Sequence, residues 1–110
     1  MSKFHHESLA AGRWFTFTLD EQLGNVGSEV SRMIKARGDK ERYQNAAMRC
    51  LELLDLTISD PRWKGPRLKE LCRVRGLFLD TVWGINEFKT SLEDLDKYFY
   101  HFAYASRLNR

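Results

Sequence analysis

Apolar side chains recur along this chain at three- and four-residue steps, the repeat of a helix that buries one face. Leu19, Leu23, Val26, Val30 and Met33 form the first stripe. Thr18-Leu19-Asp20-Glu21 reads as its capping box, in which a hydroxyl and a carboxylate satisfy orphan amides in both directions. Gly38 is the expected left-handed stop. Asp39 caps a second stripe of Tyr43, Ala47, Cys50, Leu54 and Ile58, widened by Ala46, Leu51, Leu53 and Leu56. So broad a face implies more than one neighbour. Asp60-Pro61 ends it, because the proline ring disfavours helical geometry in the residue before it.

Pro66 suits the first turn of a third helix, where a missing amide costs nothing. Its inner face is read as Leu68, Leu71, Cys72, Val74, Phe78, Leu79 and Val82, with a break at Gly84-Ile85-Asn86. Thr90-Ser91-Leu92-Glu93 offers another capping box, and Leu92, Leu95, Phe99 and Phe102 carry the fourth stripe. The pattern predicts helices over 19–37, 40–59, 66–83 and 91–108, each about 27 Å long at about 1.5 Å per residue. Short links between rods of matched length imply an all-α fold, an antiparallel up-down-up-down four-helix bundle over 18–110. An N-terminal arm, 1–17, precedes it, and its aromatic segment Trp14-Phe15-Thr16-Phe17 is expected to lie extended across one end. The rival is a three-helix bundle whose last helix packs on a partner chain.

Composition narrows the picture. Of 110 residues, 43% are apolar and 30% charged, which excludes a disordered chain and fits one domain. The start shows no signal-peptide stretch and no run could span a bilayer, so a cytoplasmic protein without membrane association is expected. Cys50 and Cys72 make no disulfide framework and read as small core residues. His5, His6 and His101 lack ligands at metal-site spacing, and neither a catalytic group nor a cofactor is expected.

The net charge is +3. Reversal of successive helices would gather Arg13, Arg62, Lys64, Arg67, Lys69, Arg107 and Arg110 at one end, with Trp14 and Trp63 among them. Cations that pair with phosphates beside indoles that stack on bases are what single-stranded nucleic-acid binding uses. The plain alternative is a solvated end.

Charged residues within apolar stripes form a second group. Arg75 is expected to meet Glu29 or Asp55 inside the bundle or at its edge, since a buried charge is costly unless paired. Gly24, Gly27, Ser28 and Ser31 make a small-residue flank, which implies close approach of another helix or of a ring such as Trp83 or Tyr98. Tyr98, Tyr100 and Tyr104 spread around the fourth helix beyond its inner stripe and mark a self-association interface.

The segments 21–30, 51–58 and 68–75 resemble a family of short prokaryotic helical proteins with no assigned function; that resemblance implies a helical fold and no reaction. In size and basic character alone the chain is similar to the four-helix-bundle accessory proteins of diversity-generating retroelements, which bind nucleic acid. The resulting expectation is a non-enzymatic, self-associating interaction or accessory protein, a homo-oligomer or the partner of another protein. An RNA- or DNA-binding bundle is the alternative.

Overall fold

A computed structural model describes residues 12–108. Four α-helices, and no strand among the described residues, make up the fold: α1 (Leu19–Lys35), α2 (Lys40–Ser59), α3 (Pro66–Val82) and α4 (Leu92–Leu108). The ends follow from local chemistry. Thr18 Oγ1 accepts the Glu21 amide at 3.1 Å, and Glu21 Oε1 accepts the Thr18 amide at 2.8 Å, which completes the first capping box. Asp39 caps α2 by accepting the Arg42 amide at 3.2 Å.

Two ends differ from expectation. Gly38 does not take the left-handed conformation; among the described residues the glycines with positive φ are Gly12 and Gly65. Instead α1 closes when the Ala36 amide donates to the carbonyls of Arg32 and Met33, and the Asp39 amide to that of Ala36. The second capping box is shifted by one residue. Ser91, not Thr90, accepts the Asp94 amide, and Asp94 accepts that of Ser91, both at 3.0 Å. Glu93, the partner expected from the sequence, is drawn off to Arg37. Gly65, at φ 62°, reverses the chain ahead of Pro66, a conformation open to glycine without strain.

α1 is the central rod, packed against both α2 and α4, and α3 packs on α2. Val26, Val30, Met33, Ala47, Cys50, Leu54, Phe78 and Phe99 are inaccessible to solvent and form the middle of the core. The breadth of the α2 face is explained by its neighbours, α1, α3 and the segment before α1. α4 lies on α1 of its own chain, which disposes of the three-helix rival. The small-residue flank makes this approach possible: a Cβ built on Gly27 would sit 2.6 Å from Phe99 Cβ, and one on Gly24 3.0 Å from Ala103 Cα. The approaching groups are therefore Phe99 and Ala103, not Trp83 or Tyr98.

The aromatic segment is turned rather than extended. Trp14–Thr16 form a single 3-10 turn and only Phe17 is extended. The turn drives the Trp14 ring into the core, edge-on to Phe17 at 5.5 Å. Cys72 is exposed, one position off the buried stripe of Leu71, Val74 and Phe78, so only Cys50 is a core thiol.

Candidate functional site

At the end where α2 gives way to α3, both tryptophans face inward. Trp14 Nε1 donates to Thr57 Oγ1 at 3.2 Å, and Trp63 Nε1 to Gln22 Oε1 at 2.8 Å. The Gln22 amide group donates to the Trp14 carbonyl and to Asp60 Oδ2, each at 2.9 Å. Arg62 clasps the buried Asp60 carboxylate through Nε and Nη2 and also reaches the Phe17 carbonyl at 2.6 Å. Burial alone would raise the Asp60 carboxyl. Hydrogen bonds from the Arg62 side chain and amide and from Gln22, with the Arg62 charge, outweigh it and hold the group below the usual carboxylate range.

This arrangement is a closed polar lock, and it corrects the stacking surface expected there. Trp63 is 8% exposed, with the guanidinium groups of Arg62 and Arg67 lying 4.5 and 5.3 Å from its ring centre. Of the expected basic end, Arg13, Lys64, Arg67 and Lys69 are exposed. Arg107, in the last turn of α4, shares a surface depression with Phe17 and Glu21 at the start of α1 and lies 5.9 Å from the ring of Tyr100. Arg110, His5 and His6 fall outside the described residues.

Glu29, Asp55 and Arg75 do not converge. Arg75 Nε donates to Asp55 Oδ1 at 2.6 Å, joining α3 to α2, but both side chains are 37% exposed. Glu29 is buried on α1 and belongs to Arg32 at 2.7 Å and Arg49 at 3.3 Å. Arg75 thus meets Asp55, one of its two expected partners, and Glu29 forms a separate site because it faces the part of α2 nearer its start.

The tyrosines of α4 also divide. Tyr98 is half-buried, its hydroxyl donating to Glu70 at 2.8 Å and its ring beside Phe99 and Phe102. That bond supports α3 rather than an interface. Tyr100 and Tyr104 point outward, 57% and 51% exposed, and stack on each other at 6.3 Å. Leu108, 66% exposed, continues the same four-residue spacing. A second apolar surface was not anticipated: the link between α3 and α4 leaves Ile85 and Phe88 exposed. It is held in shape by Asp80, whose carboxylate accepts the amides of Glu87 and Phe88 at 3.0 and 3.1 Å.

Sequence reasoning also missed a cleft of about 470 Å³ between the last turns of α1 and the first turns of α2. α1 lines it with Arg32 and Lys35, and α2 with Arg42, Asn45, Ala46 and Arg49, while Ala36 and Asp39 stand in the turn between them. The signal was present as cations spaced three or seven apart on each side of a short turn.

Among the described residues no group of three or more His, Cys, Asp or Glu side chains could hold a metal ion. The Cys50 thiol is pushed up by burial first and by the Glu29 charge second, which keeps it protonated. No helix among the described residues is long and apolar enough to cross a membrane. Comparison with protein-family models, curated proteins and solved structures finds no match. The resemblance of three segments to short prokaryotic helical proteins therefore carries no family assignment.

Proposed function

We propose that this protein is a non-enzymatic helical interaction module that associates with a second copy of itself through the outer face of α4. The observation carrying this reading is the Tyr100, Tyr104 and Leu108 stripe, more than half exposed, which starts beside the α1 contact at Tyr100 and runs outward along α4. Surface tyrosines offer large contact area with few rotatable bonds, and aromatic residues are enriched at interfaces. Charge supports an antiparallel pairing of two α4 helices. Glu93, Asp94 and Asp96 outweigh Lys97 in the first half of α4 and Arg107 stands in the last turn, so a two-fold axis sets net acid against base.

The finer architecture belongs to the same proposal: an up-down-up-down antiparallel bundle. Its support is the order of the contacts. From the turn after α1 back along the helix, Arg37, Ser31, Gly27 and Gly24 meet Glu93, Asp96, Phe99 and Ala103. Gln22, Val26 and Glu29 likewise meet Asp60, Cys50 and Arg49 in reverse order. Nucleic-acid binding at the tryptophan end is supported by exposed cations alone, since the rings are inside.

Sedimentation of the full chain tests self-association. The wild type should show a concentration-dependent dimer, and Tyr100→Glu with Tyr104→Glu should be a monomer of unchanged helix content. A wild type that stays monomeric at high micromolar concentration, or a variant that still dimerises, defeats the proposal.

A further inference from the structure

We infer that the cleft between α1 and α2 is a binding site for a small molecule bearing a phosphate dianion. Four cations, Arg32, Lys35, Arg42 and Arg49, line it with one carboxylate, Asp39, and a second, Glu29, pairs with two of the cations. Both carboxylates are already engaged. Glu29 is shared between Arg32 and Arg49, and Asp39 is the cap of α2 as well as the partner of Arg42. Lys35 forms no ion pair among the described residues. The walls therefore hold a surplus of positive charge that a phosphate dianion neutralises.

Helix electrostatics explain only half of this. Arg32 and Lys35 suit the negative end of α1. Arg42 stands in the first turn of α2, at the positive end of that helix, where a cation is disfavoured. Spare donors are plentiful. Arg32 uses Nη1 alone and Arg49 uses Nε alone among the hydrogen bonds of the described residues. A guanidinium has five N–H donors in a planar fork that matches phosphate oxygens two at a time. Ala36 and Ala46 leave the space between the walls open, and about 470 Å³ is the size of a small-molecule site.

The test is titration of the full chain, followed by amide NMR shifts at low ionic strength, with inorganic phosphate, adenosine 5′-monophosphate and, as a control for screening, sodium chloride. Both phosphate probes should move the amides of Ala36, Asn45 and Ala46, and chloride at equal ionic strength should not. Equal binding of the two probes shows recognition of the phosphate group alone. Tighter binding of the nucleotide shows that the cleft holds the rest of the molecule too. Lys35→Met with Arg42→Met, checked for retained helix content, should weaken binding about tenfold or more. Four outcomes overturn the assignment: no shifts at millimolar probe, shifts elsewhere, equal shifts with chloride, or undiminished binding by the folded double variant. A single-stranded 12-nucleotide oligomer that binds in the same cleft far more tightly than the nucleotide also overturns it, in favour of a nucleic-acid groove.

Discussion

Gly27→Ala isolates the contact on which the whole fold turns. A methyl group there would stand 2.6 Å from Phe99 Cβ, against an ordinary carbon–carbon approach of about 3.5–4.0 Å. Phe99 cannot relieve this by changing rotamer, because its Cβ is fixed to the α4 backbone; α4 itself must move by about 1 Å. Overpacking of this kind costs about 1–3 kcal/mol. Alanine recovers about 1 kcal/mol of helix propensity, so the net expectation is a loss of up to about 2 kcal/mol. Gly76, in the middle of α3, is the internal control. Nothing lies within 4 Å of a Cβ built on it, and its φ is not positive. Gly76→Ala should therefore stabilise by up to about 1 kcal/mol. Urea unfolding of the two variants should separate them by about 1–3 kcal/mol, with unchanged slope. A Gly27→Ala protein as stable as Gly76→Ala would refute the close packing of α1 on α4.

Two further outcomes follow from polar contacts. Gln22→Met keeps the shape of a buried side chain but strips Trp63 Nε1 of its acceptor and removes one donor each from the Trp14 carbonyl and Asp60. It should cost about 2–3 kcal/mol and alter tryptophan emission; a midpoint shift worth less than about 0.5 kcal/mol would show the lock to be incidental. Glu70 is held down to about 2 by the Arg73 hydrogen bond first and the Tyr98 hydroxyl after it, against burial. Its folded value lies below the ordinary 4.5, so the stability it lends is complete above pH 4.5 and fades as pH falls towards about 2. Solvent around this half-exposed pair keeps that contribution below about 1 kcal/mol. Carboxyl NMR titration should find the depressed midpoint, and Tyr98→Phe should raise it; a native midpoint near 4.5 contradicts the contact.

Periodicity made the four helices legible, because each buries a stripe and is bounded by a side chain that caps or breaks it. The errors cluster where a tertiary partner competes for a residue. Glu93 leaves the expected cap for Arg37, and Cys72 sits one step outside the buried stripe because α3 is covered chiefly on its α2 side. The basic end was expected from topology, but no one-dimensional pattern distinguishes an indole that stacks on a ligand from one that donates to a buried glutamine. Arg75 found Asp55 since both lie on facing helices; Glu29 stood as the alternative partner because helical spacing says nothing of height along the bundle. The cationic cleft went unnoticed for the opposite reason. Its residues belong to two helices, and each half alone looks like an ordinary solvated face.

The groove of small residues on α1 has a consequence for the order of events on the ribosome. Ser31 must wait for Asp96, 65 residues downstream, before that face is covered. At about 5–20 residues per second, the nascent chain carries an uncovered face for several seconds while α2 and α3 are made. During that interval the long-range closure that completes the core is unavailable, and holding the chain apart from its neighbours falls to whatever greets it outside the exit tunnel.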